Sequence, residues 1–266
     1  MVAQKEITAL NTRLKSENLR LEAEIDVARQ IQTMLLPTES ELRQIEDLEI
    51  AGFMKPADEV GGDYYDVLQQ HGRVKIGIGD VTGHGLESGV VMLMAQAIVR
   101  TLFTINETDA TKFISVLNRI IYDNVQRMNN QRNLTLTLLD YYEEKLRLSG
   151  KHEDVIVVRQ GGKIELIDTS DLGFPIGMID HIAEFVGELT IKLQSGDGVV
   201  LYTDGITEAE NEQGHYYGLE RLCNVVSQNW DKSSELIKDI VVDNVLQYIG
   251  NQKVYDDLTL LVIKQK

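Results

Sequence analysis

Apolar residues recur at Ile7, Leu14, Leu21, Ala28 and Leu35, a strict seven-residue step through residues 1–36, which contain no glycine or proline. Such spacing lays one apolar seam along a helix and is the pattern of a coiled coil. With those residues at d positions, the a positions are Asn11, Asn18, Ile25 and Gln32. A buried asparagine at a favours an in-register, two-stranded pairing, so a parallel homodimer is the favoured expectation. The alternative is a solvated amphipathic helix lying on its own domain. Pro37 ends the helix, because proline lacks an N–H and clashes with the preceding turn.

From about residue 48 the period changes. Strands are expected over 48–54, 64–68 and 74–78, the last two joined by a turn at His71 and Gly72. Two consecutive helices follow over 86–104 and 108–128, with Asp109 near the start of the second. Further strands are expected over 134–139, 145–148, 155–159, 163–167, 188–193 and 199–203. Gly161-Gly162 joins two of these as a hairpin. Helices over 219–228 and 233–248 precede a last strand over 258–263. Strand runs broken by two helix pairs predict an α+β layered sandwich, not the regular alternation of a doubly wound parallel sheet. The organisation is a linker helix, 1–36, followed by one large domain, 37–266.

Charge sharpens this division. The 42 acidic and 26 basic residues of the 266-residue chain give a net charge of −16, yet residues 1–36 hold five of each sign and are neutral. The excess lies in residues 37–266, where it disfavours binding to nucleic acid or anionic lipid. A hydrophobic content of 43% with only 3 prolines excludes a disordered acidic chain. The single cysteine, Cys223, requires no oxidising compartment, and cytoplasmic residence is expected. The most apolar stretch, 90–99, is interrupted by Gln96 and falls short of the roughly 20 residues of a membrane span. Neither a signal peptide nor a transmembrane segment is expected.

Candidate chemistry lies in four acidic segments. Three are strands running into aspartate, IGIGDVTG at 76–83, VVLYTDG at 199–205 and VYDDLT at 254–259; the fourth is VGGDYYD at 60–66. Each alone is also an ordinary surface turn. Brought together, such carboxylates make an oxygen-rich site for a hard cation, and without cations they raise one another's pKa.

In this order and with these neighbours, the chain resembles the metal-dependent PPM (PP2C-like) protein serine/threonine phosphatases, in particular their bacterial SpoIIE/RsbU-type branch. The matching features are VGGDYYD at 60–66, GDVTGHG at 79–85 followed by Ser88-Gly89, LYTDGITEAEN at 201–211 and DDLTLLVI at 256–263. The resemblance spans about residues 25–264. It implies a PP2C-like β-sandwich flanked by helix pairs, with two divalent cations, Mn²⁺ or Mg²⁺, between the sheets. Asp80 would bridge both cations, the Val81 carbonyl would bind one, Asp204 and Asp256 would complete the set, and Asp63 would bind directly or through water. Asp257 is disfavoured, since the first acid of the pair takes the metal position in the family. Gly61, Gly62, Gly83 and Gly85 would allow close approach. A water held between the cations would attack the phosphoryl group as hydroxide, in line and without a phosphoenzyme.

The resemblance further implies a phosphorylated STAS-type anti-anti-sigma factor as substrate, in a partner-switching pathway. The segment with Glu24, Ala28, Ile31, Gln32 and Leu35 would be a regulatory linker to an upstream sensor domain or a separate regulator, so that the chain would be the catalytic part of a longer protein or under a partner's control. A catalytically degenerate dimeric scaffold is the competing class, marked by loss of a metal aspartate, and none is missing. A diguanylate cyclase, suggested by Gly61-Gly62-Asp63, leaves the other motifs unexplained.

Two departures stand out. Thr82 occupies the position where eukaryotic relatives have a histidine, so the general acid is open, with His84 a candidate. SGKHEDVIVV at 149–158 replaces the family's usual turn, where His152 is read as a turn residue or a substrate-side group. Cys223, Met92 and Met94 read as core, and Lys55 as solvated. His71, His181 and His215 share no zinc-ligand spacing.

Overall fold

The computed structural model describes residues 2–57 and 60–266, apart from the side chains of residues 2–6, 8, 9, 21, 22 and 24. Helix α1 (Val2–Met34) is followed by a single turn, α2 (Glu39–Arg43), which the apolar pattern does not announce. A capping box starts α2: the Thr38 hydroxyl accepts the Glu41 N–H, and the Glu41 carboxylate accepts the Thr38 N–H at 2.7 Å.

Among the described residues, ten strands then form two five-stranded antiparallel sheets. The first has the order β1 (Leu48–Lys55), β10 (Leu258–Gln265), β9 (Gly198–Tyr202), β6 (Val155–Arg159), β7 (Lys163–Ile167). The second has the order β2 (Tyr64–Gln70), β3 (Arg73–Val81), β4 (Leu134–Tyr142), β5 (Lys145–Lys151), β8 (Glu188–Lys192). Each sheet carries a helix pair on its outer face: α6 (Leu219–Gln228) and α7 (Ser234–Ile249) on the first, α3 (Leu86–Thr104) and α4 (Ala110–Arg127) on the second. This is the expected α+β sandwich flanked by helix pairs.

Side-chain alternation explains the layering. In β10, Leu261 and Ile263 point between the sheets, while Leu260 and Val262 point to α6 and α7. Val155 and Val157 of β6, and Val199 and Leu201 of β9, likewise face the inter-sheet core, with their neighbours on the helix side. Both faces are covered, so these central strands are apolar throughout. The strands at the second sheet's centre run farther than their apolar cores suggest: β3 continues to Val81 and β4 to Tyr142. Asp109 caps α4 by accepting the Lys112 N–H at 2.8 Å, and Ser233 caps α7.

Helix α3 is the longest apolar element of the domain. At 19 residues it is long and apolar enough, by length and composition, to cross a membrane, but Val91, Met92, Ala95, Val99 and Leu102 are buried against the second sheet and α4. Met92 is core as expected, and Met94 packs partly buried against the same cluster.

The heptad seam does not continue into the domain. Ile7 and Leu14 of α1 are exposed, whereas Gln32, assigned to an a position, is buried against the domain itself. Ala28 is half-buried; Ile31 and Leu35 are exposed. Glu24 lies on α1, but its side chain is outside the described residues. Leu36 packs against the inter-sheet core, and the Leu35 carbonyl accepts from Gln96 of α3 at 2.8 Å.

Candidate active site

The acidic segments meet where the two sheets end. Asp80 and Val81 close β3, and Gly79 pairs with Tyr64, which places the 60–63 segment beside them. On the other sheet, Thr203 follows β9, Asp204 opens the one-turn helix α5 (Asp204–Thr207), and Asp256 and Asp257 immediately precede β10.

Asp63 and Asp257 join the two sides. Asp63 is 1% exposed, and its Oδ2 accepts hydrogen bonds from the hydroxyls of Thr203, at 2.8 Å, and Thr259. Burial, followed by the charges of Asp257 and Asp80, pushes its carboxyl well above the ordinary range; the two threonine hydroxyls oppose this. Asp257 spends both oxygens on backbone: Oδ1 accepts the Ala57 N–H at 2.8 Å and Oδ2 the Asp63 N–H at 3.2 Å. Both oxygens of the second acid of the Asp256-Asp257 pair are thus engaged by main chain. Gly61 permits the approach, since a Cβ there would stand 2.3 Å from Asp257 Oδ2.

The remaining carboxylates face one another. Asp80 is pushed up to about 8 by burial and then by Asp204, Asp256 and Asp257. Asp204 is raised by burial and by Glu208, and Asp256 by burial, Asp204 and Asp257, with His84 acting in the opposite sense. Beside them lies an oxygen-lined cradle. A Cβ on Gly62 would stand 2.8 Å from the Val81 carbonyl, 3.2 Å from Asp80 Oδ1 and 3.3 Å from the Gly83 carbonyl.

Among the described residues, no three Asp, Glu, His or Cys side chains already form a closed ligand cluster. The donors fit a hard divalent cation in kind: they are all oxygen, they bear excess negative charge, and a backbone carbonyl is held among them. Asp80, Val81, Asp204 and Asp256 are thus brought together, with Asp63 deeper and already hydrogen-bonded. Asp66, the second acid of VGGDYYD, is separate: it is buried and pairs with Arg100 of α3 at 2.8 and 3.0 Å.

Several contributors escape the motifs. Arg132 holds the loop after Asp80, donating to the Thr82 carbonyl at 2.6 Å and the His84 carbonyl at 3.5 Å. Glu153 faces Asp204, and its carboxyl rises to about 6 through burial, then Asp204, Asp154 and Glu208. Gln32 pairs with the backbone of Gly61. Glu208 inside LYTDGITEAEN, Glu153 inside SGKHEDVIVV and Gln32 in the linker lie in segments that the sequence flags; Arg132 does not. Thr82 is tied to Asn133 rather than presented as an acid. His152 lies in the bend between β5 and β6, as expected of a turn residue; its Nδ1 lies 2.9 Å from Thr135 Oγ1, and its Nε2 is buried. Cys223 packs against the α6 and α7 core, and His71 sits in the β2–β3 turn, with a φ of 51°.

A family model of Stage II sporulation protein E (SpoIIE) matches residues 70–266. Asp80, Asp204 and Asp256 fall inside the match; Gln32 and Asp63 precede it. The chain is 26% identical to the phosphoserine phosphatase RsbU of Bacillus subtilis over 260 residues, which is 95% of this chain and 73% of RsbU. Among solved structures, the SiaA-PP2C domain of Pseudomonas aeruginosa matches with a TM-score of 0.79 and 20% identity, covering 94% of this chain and 99% of that domain. RsbX in complex with magnesium matches with a TM-score of 0.59 and 13% identity, covering 83% and 96%. Two facing antiparallel sheets with outer helix pairs are common to this fold, and the chain belongs to the SpoIIE family of PP2C-like phosphatases.

Proposed function

We propose that the chain is a divalent-metal-dependent phosphoserine/phosphothreonine protein phosphatase. The observation that carries this reading is the mutual confrontation of Asp80, Asp204 and Asp256 beside the Val81 carbonyl, in a chain of this family. Two cations, Mn²⁺ or Mg²⁺, would be held by those three carboxylates and that carbonyl, with Asp63 as a further ligand, directly or through water. The solved RsbX structure contains magnesium, which supports a divalent ion of this type. When bound, such ions lower the pKa of water and offset charge on a phosphoryl group.

The chain's own residues provide the frame. Thr203 and Thr259 orient Asp63, Asp257 holds the backbone N–H groups of Ala57 and Asp63, and Arg132 braces the loop after Asp80. A domain with this acidity offers little attraction to a phosphate dianion by itself, so cations held by the carboxylates would supply the local positive charge.

The substrate we propose is a phosphorylated STAS-type protein in a cytoplasmic partner-switching pathway, a reading supported by the likeness to RsbU. Residues 1–36 would act as a regulatory linker that pairs two copies and communicates with a sensor domain or regulator. Glu24, Ala28, Ile31 and Leu35 would serve that pairing and Gln32 its link to the domain.

Hydrolysis of a phosphoserine protein with Mn²⁺, with and without chelator, tests the reading in wild type and Asp80→Ala. Metal-dependent turnover that Asp80→Ala abolishes is expected. Chelator-insensitive turnover would refute the metal assignment, and no turnover under any metal would leave the non-catalytic scaffold.

A further inference from the structure

His152 sits between β5 and β6, outside the carboxylate set. Its main chain is clamped by one side chain: its N–H donates to Thr169 Oγ1 at 3.0 Å, and the same hydroxyl donates to its carbonyl. The clamp fixes where the ring can go. Its Nδ1 meets Thr135 Oγ1 at 2.9 Å, and that hydroxyl also lies 3.4 Å from the Asp80 carbonyl. Thr135 is the residue directly opposite Asp80 in the β3–β4 ladder. The second ring nitrogen, Nε2, is shut away from solvent.

The imidazole therefore braces β4 at the residue that backs Asp80. A rigid planar ring anchored at its backbone and at Nδ1 is suited to fix that residue, as outer-shell partners do around metal ligands. Burial drives the ring's pKa down to about 4, so it does this at neutral pH without adding a charge.

We propose that His152 is a positioning residue for the metal centre, holding the Asp80 strand end in place through Thr135. The inference rests on the metal-site reading above.

The test measures Mn²⁺ affinity of the full chain by electron paramagnetic resonance of free Mn²⁺, alongside thermal unfolding of the metal-free protein. The variants are His152→Ala, His152→Asn, Thr135→Val and the Ala/Val double. His152→Ala and Thr135→Val should each weaken Mn²⁺ binding about tenfold. The double variant should lose about the same tenfold, because one path carries both effects. His152→Asn, which can return a nitrogen near the Nδ1 position, should stay within about threefold of wild type. Unchanged affinity in folded His152→Ala, losses that multiply in the double variant, or an equal loss in His152→Asn would each overturn the proposal. Were His152→Ala not to fold, unchanged affinity in Thr135→Val would do so. Absence of Mn²⁺ binding by wild type would instead remove the metal-site reading itself.

Discussion

The side-chain amide of Gln32 forms a two-bond pair with the backbone of Gly61, donating to its carbonyl at 3.0 Å and accepting its N–H at 3.1 Å. Gly61 in turn packs against the Asp257 carboxylate, which accepts the Asp63 N–H. The last turn of the linker helix is thus two residues from an acid of the candidate site. Gln32→Ala leaves a buried N–H and carbonyl unpaired and is expected to cost about 1–3 kcal/mol of stability. Urea unfolding checks the cost, and phosphatase assays at saturating Mn²⁺ check whether turnover falls with it.

Removing residues 1–30 while keeping Gln32 should change activity more than stability. The described side chains of α1 before Ala28 are mostly exposed, so unfolding free energy should shift by no more than about 0.5 kcal/mol. Equal phosphatase rates from full-length and truncated protein would remove the linker from regulation.

Asp256 and Asp257 should separate cleanly. Asp257→Ala takes the acceptor from two backbone N–H groups, at Ala57 and Asp63, and should destabilise the metal-free protein by about 2–3 kcal/mol. Asp256→Ala removes a repelling charge and should leave metal-free stability unchanged or raised, while lowering kcat about a thousandfold if a metal ligand worth several kcal/mol is lost. Denaturant titration and steady-state kinetics read the two effects.

Metal-free stability should fall as pH rises between 6.5 and 8. The Asp80 carboxyl is lifted from 3.8 to about 8 in the folded chain, so the native state holds a proton that the unfolded state has released. Each such proton contributes up to about 1.4 kcal/mol per pH unit. His152, lowered from 6.5 to about 4, has the opposite slope, but only below that window. Bound Mn²⁺ replaces the proton, so the slope should vanish with metal; denaturation midpoints with chelator and with Mn²⁺ check this.

Excess Mn²⁺ should also stabilise the folded chain by about 2.7 kcal/mol at a hundred times its dissociation constant. Calorimetric unfolding at increasing Mn²⁺ reads the shift, and Asp80→Ala should abolish most of it.

Much of this was written along the chain itself. Period-two apolar runs and turn residues are local properties, so α3, α6, β6 and β7 are legible to the residue, and the short motifs around Asp63, Asp80, Asp204 and Asp256 carry their own strand ends. The seven-residue step in α1 is equally local, yet it misassigned Gln32, because a heptad pattern registers spacing and cannot register Gly61 waiting 29 residues on. The same limit hid Arg132 and the partners of Glu153 and His152, which lie on strands and loops far away in sequence. It also hid the difference between Asp256 and Asp257, adjacent acids of one type that diverge only because backbone N–H groups from residues 57 and 63 converge on the second. Sequence alone determined most of the elements, the family resemblance and which acids could meet. Only the tertiary structure decided which of them stay free, which are spent on the frame, and what holds the two sheets in register, because burial and hydrogen-bond partnership arise from packing between segments.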